Sequence, residues 1–191
     1  MQKYLHNSGI LQRREWSGLV CKELFGPSSD LFCEVEEGSG AVFPNSKLPI
    51  NSKRKQMLKF AGKFVGKVLY EGAWGVNYSQ YLPIRLAKSF LASVAGLRVN
   101  FRHFAQDAPE LYTAKIRLIE NENVDDLGLD DLVFAEEVHC DNGNVKIVDL
   151  KPNGRNVKVT ESNKLQYLDL LAQYRLCISI KEHVECFMEG K

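Results

Sequence analysis

Cysteines and histidines are the residues of this chain that could act as nucleophiles or metal ligands. The chain has five cysteines and four histidines, and a catalytic thiol or hydroxyl needs a base beside it. No two cysteines have the C-x-x-C spacing of zinc or redox sites, so the thiols are predicted to be reduced. His139 and Cys140 are adjacent, but two ligands without two more do not make a zinc site. The sequence therefore predicts no catalytic residue, no metal centre and no cofactor.

Acidic residues cluster between a predicted helix and a predicted hairpin. They are Asp125, Asp126, Asp130 and Asp131. Carboxylates can hold a divalent cation, but this spacing lacks the glycine and the terminal glutamate of a calcium loop. We therefore predict a solvated, acidic connector.

Apolar residues run among these acids, which is unusual for a loop. They are Val124, Leu127, Leu129 and Leu132. If the preceding helix leaves part of its apolar face uncovered, a groove with acidic edges results, suited to a partner loop with an aromatic tip. That face carries Leu111, Ile116 and Ile119. The alternative is burial inside the chain's own core, which the spacing alone favours.

Composition and charge restrict the kinds of partner. The chain has 191 residues, of which 45% are hydrophobic and 26% charged, with a net charge of +1. It can bury a substantial core, whereas its charge gives no general attraction to nucleic acid. No apolar stretch reaches the roughly 18 residues of a membrane span, and residues 1–11 do not resemble a signal peptide. We expect a cytosolic or nuclear setting, with the cytoplasm preferred.

Hydrophobic periodicity predicts a mainly helical α+β chain with one hairpin. The predicted helices cover residues 13–25, 53–70, 83–94, 109–121 and 160–190, the last with a bend near 177–179. The predicted strands cover residues 132–138 and 145–150. Asn142-Gly143 between the two strands is a good hairpin signal.

Glycines and lysines in the first half of the chain are interpreted as structural. The Gly-rich stretch 31–43 is predicted to be a surface turn, because it lacks the strand and helix that flank a phosphate loop. One stripe of the 53–70 helix is predicted to be solvated and carries Lys55, Lys59, Lys63 and Lys67. Gly62 and Gly66 destabilise that helix, so each is predicted to allow close approach of a neighbouring backbone.

Several stretches resemble the HECT domain of ubiquitin ligases, in the same order and at similar separations. They are RREW at 13–16, LFGPSSDLF at 24–32, FAGKFVGKVLYEG at 60–72, DAPELY at 107–112, LVFAEE at 132–137, VDLKPNGRNVKVTESNK at 148–164 and YLDLLAQYRLCISIKEHVECFMEG at 167–190. LVFAEE and LLAQYRL are most similar to the apoptosis-resistance group of HECT ligases. The resemblance implies that residues 13–191 form the amino-terminal lobe of a HECT domain.

In that family the amino-terminal lobe is mainly helical, and a small subdomain in it grips a ubiquitin-conjugating enzyme. The resemblance places this subdomain at roughly residues 94–167. It implies that the groove of the subdomain is lined by Leu111, Leu132, Tyr167 and Leu171. Helix spacing adds Ile116 and Ile119 to this set.

Departures from the family pattern bear on specificity and activity. Lys115 stands where the family often has leucine, and the connector 127–131 looks slightly longer than usual, so the choice of conjugating enzyme does not carry over. Residues 1–12 diverge from the family's usual strand and Gly-Gly-Leu turn. The family's catalytic lobe, whose cysteine accepts ubiquitin as a thioester, is expected beyond Lys191. We therefore expect a HECT-type ubiquitin transferase fragment that is inactive alone because this lobe is absent.

Two functions of different class remain open. In the first, the chain recruits a ubiquitin-conjugating enzyme so that ubiquitin passes to the ligase cysteine and then to a substrate lysine. In the alternative, it is a non-catalytic binding module that sequesters the conjugating enzyme. The expected partners are the conjugating enzyme, ubiquitin and, through other regions, a protein substrate. Nucleic acid and membranes are not expected partners.

Overall fold

The computed structural model describes residues 15–73, 82–129, 131–139 and 144–190. Its helices are α1 (15–25), α2 (Ser52–Ala73), α3 (Lys88–Val94), α4 (Phe104–Asp107), α5 (Pro109–Leu111), α6 (Arg117–Asn121), α7 (Lys164–Leu176) and α8 (Lys181–Met188). Its strands are β1 (Phe32–Glu34), β2 (Ala41–Pro44), β3 (Arg85–Leu86), β4 (Ala135–His139) and β5 (Val145–Asp149). Helices dominate and the strands form two small sheets, which confirms the predicted α+β class. Within these ranges no helix has the length and apolar character needed to cross a bilayer.

The first core is built by α1, the β1–β2 hairpin, α2, α3 and α8. Apolar residues of α2 recur at spacings of three and four, so they share one buried face, formed by Leu58, Ala61, Val65 and Val68. α8 packs along α2. Phe187 of α8 meets Phe90 of α3 edge to face, with ring centroids 5.2 Å apart. The strongest predicted helix is therefore the central element of this core.

Close packing of α2 on α8 depends on glycine. A Cβ at Gly62 would overlap the carbonyl oxygen of Phe187, and a Cβ at Gly190 would overlap that of Lys59. The prediction of a close backbone approach is thus confirmed for Gly62. It is wrong for Gly66, because a Cβ there would meet nothing within 4 Å.

The segment 31–43 contains a β-hairpin, and not only the predicted surface turn. β1 pairs antiparallel with β2 in the register Phe32↔Pro44 and Cys33↔Phe43. Gly38 and Gly40 have φ of 77° and 65°, which glycine adopts without strain. Strands of 3 and 4 residues give too short an alternation for the sequence to reveal them.

β3 occupies the beginning of the predicted 83–94 helix. It pairs in parallel with β2, so the helix starts only at Lys88. The prediction of a helix from residue 83 is wrong for this first part, because tertiary pairing with the hairpin overrides the local preference.

The second core is built by α4, the 109–121 helix, β4, β5 and α7. The 109–121 helix comprises α5, a π-helical segment (Tyr112–Ile116) and α6 in one continuous run, as predicted. β4 pairs antiparallel with β5 from Ala135↔Asp149 to His139↔Val145. The predicted hairpin is thereby confirmed, although its Asn142-Gly143 turn lies outside the described residues. The core residues run from Ala92 to Leu176, and the subdomain boundaries 94–167 stay a prediction.

The final helical region is interrupted where a bend was predicted. A 3₁₀ turn at Ile178–Ile180 separates α7 from α8. The start differs from the prediction, because residues 161–163 form a turn and α7 begins at Lys164. Asn163 Oδ1 accepts a hydrogen bond from the Thr160 N–H at 2.8 Å, which stabilises that turn.

The lysine stripe of α2 is exposed, as predicted, but part of it is paired with α8. Lys55 Nζ lies 3.1 Å from a carboxylate oxygen of Glu182, and Lys59 Nζ lies 3.5 Å from one of Glu189. The interpretation of a purely solvated stripe is corrected to this extent, since the side chains also link two helices of the first core.

Candidate docking site

A cleft of about 490 Å³, here called the first cleft, opens beside β4 in the second core. The 109–121 helix contributes Lys115, and the segment before β4 contributes Leu132. α7 contributes Tyr167 and Arg175, and β4 contributes Glu136. Helix, connector, strand and helix therefore converge on one concave surface.

The structure does not bring all predicted groove residues to this surface. Leu132 and Tyr167 line the first cleft, whereas Leu111 lines a second cleft. Complete burial in the second core is shared by Ile116, Ile119, Tyr167 and Leu171. The alternative that spacing favoured, burial within the chain's own core, describes these side chains. Ile116, Ile119 and Leu171 therefore support the cleft and cannot touch a partner in this conformation.

Tyr167 lies at the base of the first cleft. Its ring meets Phe134 edge to face, with centroids 5.6 Å apart and an interplanar angle of 89°. Lys115 Nζ lies 5.6 Å from the Tyr167 ring centroid, within reach of a cation–π contact. The buried hydroxyl has no hydrogen-bond partner in the described part of the chain. Such a group costs about 1–3 kcal/mol until something satisfies it.

A buried ion pair forms the wall between the two clefts. Glu136 is only 6% exposed, and its Oε1 accepts a 2.7 Å hydrogen bond from Arg175 Nε and a second bond from the same guanidinium. Both residues line both clefts. Charge pairing makes burial of this carboxylate tolerable. Sequence reasoning missed the pair, because its members belong to a strand and a helix 39 residues apart.

The second cleft is larger, about 630 Å³, and lies between the β1–β2 hairpin, β4 and α7. Most of its lining is apolar and includes Val35, Phe43, Phe104, Leu111 and Leu176. The hairpin belongs to the first core and Phe104 to the second. This cleft therefore marks the junction of the two cores.

The acidic connector is anchored at its start. Val124 is buried, and its N–H donates to Glu161 Oε2 at 3.1 Å. Lys164 Nζ lies 2.7 Å from Glu161 Oε1, and this hydrogen bond lowers the pKa of the Glu161 carboxyl. Leu129 stays exposed, and Asp130 lies outside the described residues. The connector thus docks on the beginning of α7 and leaves its later part at the surface.

The described thiols are unsuited to nucleophilic attack. Burial raises the pKa of Cys21, Cys33, Cys177 and Cys186, which lowers their thiolate fraction. Among the residues described, no group of three His, Cys, Asp or Glu side chains is placed to hold a metal ion. Cys140 lies outside the described residues, so the interpretation of the His139-Cys140 pair stays a prediction.

Comparison with known proteins gives a consistent set of relatives. Residues 18–191 match the family described as HECT-domain (ubiquitin-transferase). The chain is 43% identical over 180 residues to apoptosis-resistant E3 ubiquitin protein ligase 1 of Mus musculus, covering 93% of this chain and 21% of that protein. Identity is 42% to the Homo sapiens protein of the same name, with the same coverage. It is 30% over 177 residues to E3 ubiquitin-protein ligase HACE1 of Bos taurus, covering 93% and 18%. The chain spans about a fifth of the length of these curated relatives.

Proposed function

Because the chain belongs to the HECT-domain (ubiquitin-transferase) family, we propose that it forms part of a ubiquitin-protein ligase and docks a ubiquitin-conjugating enzyme. The names of its relatives as E3 ubiquitin ligases support this role. The observation that carries the proposal is the first cleft, where a partly exposed Leu132 and the buried ring of Tyr167 share one concave surface.

The chemistry of the first cleft suits a protein partner. Its apolar centre at Leu132 is surrounded by a charged rim formed by Lys115, Asp131, Glu137 and Arg155. In protein interfaces a few shielded apolar anchors contribute most of the binding energy, while rim charges tune rate and selectivity. The expected occupant is a loop of the conjugating enzyme with one large apolar side chain. A small transient interface of this kind binds with micromolar affinity.

In this proposal the chain supplies the docking step of a longer reaction. The docked enzyme delivers ubiquitin to a ligase cysteine, from which it passes to a lysine of a protein substrate. We place this activity in the cytoplasm, since the described cysteines are free thiols, as in a reducing compartment. Imaging of the tagged full-length ligase tests the location.

A charge placed in the first cleft tests the docking role. Leu132→Asp is expected to weaken binding of a conjugating enzyme by about 2 kcal/mol or more, roughly 30-fold. Titration calorimetry against a panel of recombinant ubiquitin-conjugating enzymes measures this loss. Leu165→Asp is the matched control, because Leu165 is exposed on α7 and lines neither cleft.

The two variants separate the location from the role. Circular dichroism first establishes that both are folded. Equal affinity of folded Leu132→Asp and wild type would contradict the location, whereas failure of the wild type to bind any enzyme in the panel would contradict docking itself.

A further inference from the structure

The end of the β1–β2 hairpin touches both cores. Val35 packs against the apolar residues of the first core and also against those of the second. Val35 additionally lines the second cleft, which lies at the junction. The hairpin therefore reaches across the boundary that separates the two cores.

Glu36, next along the hairpin, caps a helix of the other core. Its Oε2 accepts a hydrogen bond from the Glu110 N–H, and its Oε1 accepts one from the Leu111 N–H, both at 2.9 Å. These N–H groups lie in the first turn of the 109–121 helix, where helix geometry offers them no partner. A carboxylate also interacts favourably with the positive end of the helix dipole. Glu36 thus satisfies two orphan donors across the junction.

Asp107 makes the reciprocal contact from the second core. Its two carboxylate oxygens accept hydrogen bonds from the Lys88 and Ser89 N–H groups at the start of α3, both at 2.8 Å. Asp107 is 1% exposed, so its loss would leave buried N–H groups unsatisfied. Each core therefore contributes one carboxylate that caps a helix of the other, and the Asp107 contact is the more deeply buried.

Arg85 adds a bridge at the same junction. One guanidinium nitrogen donates to the carbonyl oxygen of Ser39 in the hairpin turn at 3.1 Å, and another donates to that of Gln106 at 2.7 Å. Both contacts are exposed. The accessible side of the junction is therefore held by polar contacts to backbone groups, of which the Glu36 pair is the one that engages the 109–121 helix.

We propose that Glu36 is a positioning residue that fixes the 109–121 helix, and with it the docking surface, relative to the first core. The proposal rests on the docking function proposed above, since that helix carries Leu111 and Lys115 into the two clefts. Glu36 is partly exposed, unlike Asp107. Water can replace it at the freed N–H groups, so its loss alters the orientation of the cores and leaves their folds intact.

Residual dipolar couplings measured on the 191-residue chain test the positioning. In the wild type and in the control Glu37→Ala, couplings from both cores are expected to fit one alignment tensor. Glu37 is the exposed neighbour of Glu36, so the control removes the same charge from the same turn. In Glu36→Ala the cores are expected to require separate tensors, with smaller couplings for the second core. The Glu110 and Leu111 amides should also exchange with solvent at least about tenfold faster.

Glu36→Gln provides a graded second variant. It keeps the chain length and one acceptor oxygen, so its couplings and exchange rates should fall between those of the wild type and Glu36→Ala. A single tensor and unchanged exchange in Glu36→Ala would overturn the proposal. So would global unfolding of both variants, because Glu36 would then hold the fold and not the orientation.

Binding measurements connect the positioning to docking. Glu36→Ala is expected to bind a recombinant ubiquitin-conjugating enzyme about tenfold more weakly than Glu37→Ala, in proportion to the loss of the competent orientation. Unchanged affinity in a variant with separate tensors would overturn the link to docking. If the wild type binds no enzyme in the panel, the docking function fails, and the tensor comparison still decides the positioning role.

Discussion

Burial at the level of single residues separates the side chains that can meet a partner from those that support the cleft. Leu132 is partly exposed, whereas Tyr167 is completely buried. Truncating a buried aromatic residue to alanine costs about 3–5 kcal/mol of stability. Loss of binding in Tyr167→Ala would therefore report loss of fold. Leu132 is the residue whose substitution reports docking.

The unsatisfied hydroxyl of Tyr167 leads to a stability prediction. Tyr167→Phe keeps the ring and its edge-to-face contact with Phe134 but removes a polar group that has no partner among the described residues. The free energy of unfolding is expected to rise by about 1 kcal/mol. Urea denaturation measures the change. A decrease of similar size would mean that the hydroxyl is hydrogen-bonded in solution.

His183 is expected to make stability depend on pH. Burial, aided by the nearby Arg54 guanidinium, lowers the pKa of His183 below its ordinary value, which is about 6.5. The unfolded chain then binds the proton more readily, so the free energy of unfolding falls as pH is lowered through about 6.5 and is insensitive to this group above about pH 7.5. The difference in stability between the wild type and His183→Gln, from urea denaturation at each pH, should therefore narrow or reverse on acidification. A difference that stays constant with pH would contradict this assignment.

Among the secondary-structure elements, the 109–121 helix and α2 are shaped by their neighbours. The π-helical segment Tyr112–Ile116 contains Lys115, which lines the first cleft. π-helical segments occur frequently at functional sites, which agrees with the proposed docking role. α2 instead owes its close contact with α8 to Gly62. The two helices thus depart from regular geometry or composition where another element or a cleft adjoins them.

Gly62 and Gly66 form a matched pair for testing helix packing. Gly62→Ala is expected to lower the free energy of unfolding by about 1–3 kcal/mol or more, because the new methyl group overlaps the Phe187 carbonyl. Gly66→Ala meets open space and should raise it by roughly 0.5–1 kcal/mol through helix propensity. Thermal and urea denaturation of both variants measure the contrast. Similar effects of the two substitutions would show that α2 and α8 do not pack as described.

For the molecule as a whole, docking and ubiquitin transfer make different demands. Docking needs a shaped surface, which the first cleft supplies. Transfer needs a reactive thiolate with a base or positive charge beside it. The described thiols have pKa values raised by burial. The two steps should therefore be separable in experiments on this chain.

We expect the 191-residue chain to bind a conjugating enzyme reversibly and to form no thioester with ubiquitin. Incubation with activating enzyme, conjugating enzyme, ATP and ubiquitin should give no reductant-sensitive adduct of this chain on a non-reducing gel. The reason is the low thiolate fraction expected of the described cysteines.

Cys140 provides the control for that experiment, because it is the cysteine next to a histidine in sequence. An adduct that disappears with reductant and also in Cys140→Ser would contradict the prediction. It would assign a transferring thiol to the turn between β4 and β5.

The sequence was sufficient for the family, the fold class and the long helices. Seven motifs in order identified the HECT resemblance, and the apolar face of α2 is repeated over 22 residues, enough for periodicity to be unambiguous. The β4–β5 hairpin was also predictable, since two apolar runs flank an Asn-Gly pair. Such signals arise from residues close together in the chain.

Tertiary contacts were needed to assign exposure, packing and the junction between the cores. Gly62 and Gly66 are alike in sequence, yet only Gly62 faces the backbone of α8. Helix spacing placed Ile116 and Ile119 on an apolar face but could not show that α7 and β4 cover it. The capping of the 109–121 helix by Glu36 joins residues 74 and 75 positions apart. Periodicity reports which side of an element is apolar, whereas burial and long-range hydrogen bonds depend on which elements meet in the folded chain.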